Sequence, residues 1–174
     1  MKIGIVVGSV RDNRLGAQVG QWVADNATGA TFETIDVLDF DLPFVTGPKP
    51  PAMLNKEYAD DRVSAFSKAI DDCQGFIFVT PEYNASVPGA FKNAIDHLYS
   101  EWHGKPVGYV VYSYTGGKQV LAHWQDIMGV LKAKNASQQV SLNLNSEIAG
   151  GSLRVDPSHL DELNALVNEI IEAA

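Results

Sequence analysis

Three short segments hold the residues best suited to chemistry. The first, Gly8-Ser9-Val10-Arg11-Asp12-Asn13-Arg14-Leu15-Gly16, follows an apolar run and leads into a helical pattern. Backbone N–H groups at a helix start, with the positive end of its dipole, form an anion site. Ser9 and Asn13 add neutral hydrogen bonds, and Arg11 and Arg14 add charge. Arginine grips a phosphate through two parallel N–H groups. The chain has arginines only at 11, 14, 62 and 154, so half of them lie in this one loop. The competing reading is that both merely solvate a surface turn. The spacing matches neither G-x-G-x-x-G nor G-x-x-x-x-G-K-S/T. With no cysteine in the loop and Ser9 outside any G-x-S-x-G, it is a loop for holding a phosphate rather than cleaving one.

The second segment, Thr80-Pro81-Glu82-Tyr83-Asn84-Ala85-Ser86-Val87-Pro88-Gly89, is dense in turn-formers. A flat ligand could lie there against backbone N–H groups, with Tyr83 as an apolar wall carrying a polar tip. The plainer alternative is a strand-to-helix turn capped by Ser86. The third, Ser113-Tyr114-Thr115-Gly116-Gly117, ends in two glycines that permit close backbone approach. His97, His103, His123 and His159 show no metal-ligand spacing, and the lone Cys73 falls on a core stripe.

Alternating strands and helices must position these segments. Residues 2–8, 31–37, 75–80, 107–112 and 136–144 read as strands. Helices follow at 15–27, from Val63 to Cys73, from Val87 to Leu98, from Gly116-Gly117 towards Leu131, and after Asp156-Pro157, an N-cap with a first-turn proline. This alternation implies an α/β, doubly wound five-stranded parallel sheet with helices on both faces, spanning 1–174 as a single domain. Ligands of such sheets sit outside the carboxyl ends of the strands, where strand order reverses. All three segments follow strands. The proline-rich stretch through Pro43, Pro48, Pro50 and Pro51 reads as a flap rather than a linker.

Composition narrows the partners. Lys and Arg total 13 against 21 Asp and Glu, a formal charge of −8. So acidic a surface argues against nucleic acid or an anionic membrane as main partner. The start lacks a signal-peptide pattern, no stretch approaches a membrane span, and one cysteine suits a reducing compartment. Cytoplasmic is the expected location.

Gly8-Ser9-Val10-Arg11 and the run from Pro81 to Asp96 closely resemble the NADPH-dependent FMN reductase family of flavodoxin-like proteins. The likeness extends through Asp36 to Pro43 and Ser113 to Gly117, covering roughly residues 1–145. It implies that Ser9, Arg11, Asn13, Arg14 and Gly16 surround the FMN phosphate. It implies that Pro81, Glu82, Tyr83 and Asn84 line the isoalloxazine edge, with Ser113, Gly116 and Gly117 near its pyrimidine end. The family activity is hydride transfer from NADPH or NADH to bound FMN, then electrons to quinones, azo compounds, chromate or flavin in ping-pong order. The flavin performs the chemistry, so no catalytic side chain is expected. Members are commonly homodimers or homotetramers, which makes Trp102, Trp124, Phe44 and Met53 candidate contacts. Two other readings are a flavodoxin-type FMN electron carrier and a flavin-free binding module. Flavodoxins typically cradle the phosphate with T-G-N-T, where this chain has arginine.

Overall fold

A computed structural model describes residues 1–174. Five strands form the main sheet: β1 (Lys2–Val7), β2 (Thr31–Asp36), β3 (Gly75–Pro81), β4 (Pro106–Ser113) and β5 (Lys134–Asn143). Their order is β2-β1-β3-β4-β5 and every neighbouring pair is parallel. The helices are α1 (Leu15–Asn26), α2 (Asp61–Asp71), α3 (Gly89–Asp96), α4 (Lys118–Val130) and α5 (His159–Ala173). The chain first winds outward from β1 to β2, then returns past β1 to β3 and continues to β5. Strand order therefore reverses between β1 and β3, and a crevice opens above their carboxyl ends.

Period-2 alternation along the strands explains the two cores. Ile3, Ile5 and Val7 face α1 and α5, where Val19, Val23, Leu163, Leu166 and Ile170 meet them. Val6, Phe76 and Phe78 face α2, α3 and α4, against Phe66, Ile70, Phe91 and Trp124. Both faces of β3 and β4 are covered, so these strands are buried along their whole length and mostly apolar, as parallel strands between helix layers are.

Several details differ from the sequence reading. Ser86 does not cap α3; the helix begins at Gly89, with Pro88 preceding it. Trp102 and Trp124 are fully buried, which removes them as surface contacts, whereas Phe44 and Met53 are 82% and 63% exposed. A short antiparallel hairpin, β6 (Ile148–Ala149) with β7 (Ser152–Leu153), follows β5 without any periodic pattern to mark it in the sequence. α5 begins two residues beyond Pro157, after a turn in which Asp156 Oδ1 accepts from the Ser158 N–H at 2.9 Å.

The proline-rich flap is fastened rather than loose. The Pro43 carbonyl accepts from Asn93 Nδ2 at 2.8 Å and lies 2.7 Å from His97 Nε2. Farther along, the Tyr58 hydroxyl donates to Glu101 at 2.6 Å. Glu101 is fully buried and also accepts from the Ser67 hydroxyl and the Tyr99 N–H, so its carboxylate is solvated by protein donors. No helix is long and apolar enough to cross a membrane.

His159 clamps α5 to the segment after β5. Its two ring nitrogens lie 2.7 Å from Glu162 Oε2 and Glu147 Oε1. Burial opposes the charged ring, but the two carboxylates outweigh it and raise its pKa above 6.5. Its stabilising contribution is thus complete below about pH 6.5, the unfolded value, and is lost as pH rises through the higher folded value. Thermal unfolding of His159→Asn should therefore trail the native protein most at about pH 6, with the gap closing at alkaline pH. A gap that is constant with pH contradicts this clamp.

Candidate functional site

A cleft of about 630 Å³ opens at the strand-order reversal, walled by the loops after β1, β3 and β4. The β1 loop starts at Gly8, whose N–H donates to the Val79 carbonyl at 3.0 Å and carries the sheet register one residue past β1. Ser9 is buried, with its hydroxyl 2.9 Å from that of Tyr83, so the first and second loops meet side chain to side chain. Asn13 takes a left-handed φ of 51°, which a short polar side chain tolerates. No side chain caps α1, so its first-turn N–H groups keep their capacity for an anion.

The two arginines divide their labour. Arg14 makes a two-pronged pair with Asp36 at the end of β2, with Nη1 to Oδ1 at 2.7 Å. Its Nη1 also donates to the Ser9 carbonyl. Both side chains are largely buried, at 13% and 16% exposure, and the hydrogen bonds to Asp36 raise the Arg14 pKa against the cost of burial. Arg14 therefore borders the cleft but uses its fork to fix the loop. Arg11 is exposed, its guanidinium carbon 5.8 Å from the centre of the Tyr83 ring. It is the cation left available for a ligand.

The β3 loop turns on two residues. The Tyr83 and Ser86 backbones bond in both directions, at 2.9 and 3.0 Å. The intervening Asn84 and Ala85 have φ of 50° and 60°. Two successive positive φ values describe a type I′ turn. Ala85 lacks the side chain that usually tolerates this region, at a cost of about 1–2 kcal/mol. Strain of this kind persists where the surroundings over-determine the loop, commonly at functional sites. Pro81, Glu82, Tyr83 and Asn84 all border the cleft.

Glu82 does more than line the wall. Its Oε2 accepts from the Val120 N–H at 3.1 Å, capping the first turn of α4. Its Oε1 accepts from the Thr115 hydroxyl. The carboxylate thus ties the β3 loop to the β4 loop and places negative charge at a helix N-terminus. Glu82→Gln keeps the shape but loses the charge-assisted acceptor, and thermal unfolding should report a loss of about 1–2 kcal/mol. Unchanged stability contradicts the tie.

Ser113 reaches the cleft, and its hydroxyl accepts from the Thr115 N–H at 3.2 Å. Gly116 and Gly117 do not line it. Their φ values of 86° and 67° turn the chain into α4, and a Cβ on Gly117 would sit 3.1 Å from Val111 Cβ. Gly16 lies just behind the first loop; a Cβ there would come within 2.7 Å of the Tyr112 hydroxyl. The sequence reading missed Tyr112, Tyr114 and Leu144 in the wall. Tyr112 and Tyr114 flank Ser113, so only their position at a strand end could have signalled them. Leu144 enters through a long-range bond, its N–H donating to the Ser113 carbonyl at 3.0 Å.

The histidines stand apart from the cleft wall. His123 Nδ1 lies 2.9 Å from the Ser86 hydroxyl, His97 holds the flap and His159 clamps α5. Cys73 is buried, which pushes its thiol up to about 11 and makes it a poor nucleophile.

Comparison with known proteins fits this geometry. The family model for NADPH-dependent FMN reductase matches residues 1–146. An NAD(P)H-dependent FMN reductase of Schizosaccharomyces pombe is 35% identical, over 97% of this chain and 88% of its own. A 2-hydroxy-1,4-benzoquinone reductase of a Burkholderia species is also 35% identical, over 68% of this chain and 56% of its own. Among solved structures, the flavoenzyme NAD(P)H:(acceptor) oxidoreductase of Paracoccus denitrificans aligns over 99% of this chain and 98% of its own, with a TM-score of 0.77 at 23% identity. That last likeness bears on the fold alone.

The chain's own residues suit FMN. A phosphate finds an unpaired arginine, an uncapped helix start and a buried Tyr112 hydroxyl that makes no hydrogen bond of good geometry. A planar ring finds the strained turn and the Tyr83 face beside it. With the sequence match spanning most of the molecule, the chain belongs to the NADPH-dependent FMN reductase family and is an oxidoreductase that uses FMN and NAD(P)H.

Proposed function

We propose that the chain, as one FMN-binding domain over residues 1–174, takes a hydride from NAD(P)H and passes electrons to small quinone-type acceptors in ping-pong order. FMN supplies the redox chemistry when bound; the protein supplies position and electrostatics. The observation that carries this reading is the free Arg11 beside the uncapped start of α1 at the strand-order reversal. Arg11, Ser9, Asn13 and the N–H groups around Gly16 hold the phosphate, while Arg14 keeps their loop in place through Asp36. Pro81, Tyr83 and Asn84 border the isoalloxazine edge. Ser113 would meet its pyrimidine end, while the Gly116-Gly117 turn lies behind the wall and leads into α4, braced by Glu82.

No side chain is required to move a proton in the hydride step. The cleft is open to solvent, so nicotinamide and acceptor use the same face in turn. A quinone is the favoured acceptor class because a benzoquinone reductase is among the relatives; azo compounds, chromate and free flavin are further candidates. The exposed Phe44, Met53, Leu38 and Val10 provide apolar surface for a homodimer or homotetramer. A buried, unpaired cysteine in an acidic chain suits the cytoplasm.

Initial rates over a grid of NADPH and benzoquinone concentrations test the order of events. Alternating occupation of one face predicts parallel double-reciprocal lines. Intersecting lines would show both substrates bound together and overturn it.

A further inference from the structure

Beneath the phosphate loop lies a group that neither the sequence reading nor the family match singles out. Tyr112, the penultimate residue of β4, is 4% exposed, and its buried hydroxyl makes no hydrogen bond of good geometry, because the Ser9 hydroxyl beside it pairs with Tyr83 instead. A buried hydroxyl left unpaired is costly, so such groups persist where they serve a ligand or a strained site. Three features fix where this one sits. It packs against the first turn of α1, because a Cβ on Gly16 would lie 2.7 Å from its oxygen and 3.2 Å from Ser9 Cβ. It lines the same cleft as Ser9, Arg11, Asn13 and Arg14. The residue opposite it on β3 is Pro81, which also borders that cleft.

We infer that Tyr112 is a further binding residue of this site, donating its hydroxyl proton to the phosphate held by the first loop. This rests on the reading that FMN binds there phosphate-first. A phosphate is acceptor-only, and the cradle offers it backbone N–H groups, one free guanidinium and the Ser9 hydroxyl. An O–H rising from the sheet side completes the shell from below. The phenol also stays a donor under all ordinary conditions. Burial raises its pKa, as does the nearby Tyr83 hydroxyl, while Ser9, Arg14 and Arg11 pull more weakly the other way. Gly16 is the matching feature, since any side chain there would fill the space the hydroxyl occupies.

Tyr112→Phe removes one oxygen and nothing else, so the ring still fills its place among Val7, Val79 and Val110. The full-length protein, stripped of flavin, is titrated with FMN and with riboflavin, and its unfolding is followed with and without each. The expected result is FMN binding at least tenfold weaker in Tyr112→Phe, with riboflavin affinity unchanged and ligand-free stability equal to or above native. That combination separates a ligand donor from a structural hydroxyl, whose loss would lower ligand-free stability and affect both flavins alike. An FMN loss below about threefold, or an equal loss for riboflavin, overturns the assignment. If the native protein itself fails to prefer FMN over riboflavin, it is the phosphate reading of the first loop that falls.

Discussion

Gly8→Ala is expected to destabilise the protein by about 3 kcal/mol or more, the upper end of what overpacking costs. A Cβ built at Gly8 lies 1.8 Å from Phe91 Cδ1 and 2.4 Å from Cγ. Neither side can give way cheaply. The Phe91 ring is fully buried, its centre 4.9 Å from that of Phe78 and 4.7 Å from that of Trp124. The Gly8 backbone is held by its bond to Val79 at the end of the β1–β3 register. Urea unfolding should show a lower midpoint with little change in slope, the signature of lost stability without a changed unfolded state. A loss under about 1 kcal/mol would mean that the α3 face is looser than its packing implies. The same substitution displaces the loop that starts at Gly8, so the variant's remaining folded fraction should also bind FMN poorly.

Arg11→Ala is expected to weaken FMN binding by about 1.5–3 kcal/mol, or roughly 10- to 150-fold, the range for a hydrogen bond to a charged group. Arg11 carries this effect because Arg14 is committed elsewhere, to Asp36 and the Ser9 carbonyl. Arg11 is exposed, so salt should screen its contribution. The difference between native and variant is therefore largest at low ionic strength and shrinks as salt is added. An unchanged FMN affinity at low salt would remove Arg11 from the phosphate site.

Much of this was legible from the chain alone. The strands announced themselves because parallel strands covered on both faces must be apolar along their length, as Phe76-Ile77-Phe78-Val79 is. The loops stood out because reversing direction at a strand end demands glycine, proline and asparagine. What escaped was long-range pairing. Nothing in Arg14 says that Asp36, a strand away, will claim its fork, so the two arginines looked equivalent. Ser86 looked like a helix cap, yet the backbone at Asn84 and Ala85 turns the opposite way and gives Ser86 to the turn instead. Trp102 and Trp124 read as candidate contacts, because large aromatics serve an interface as readily as a core; packing against Phe78 on the α2–α4 face decides for the core. Tyr112 was hidden by its strand pattern, which explains the buried ring and says nothing of the hydroxyl at its tip. Two-residue strands such as β6 and β7 are too short to carry any periodicity at all.

The most direct measurement is anaerobic mixing of the FMN-loaded protein with NADPH, and separately with NADH, while the flavin absorbance is followed in a stopped-flow cell. Rapid bleaching by at least one of the two nucleotides is expected, with recovery of the absorbance when a quinone is added. A flavin that stays oxidised for many seconds with both nucleotides would contradict hydride transfer, and would leave the cleft as that of an electron carrier.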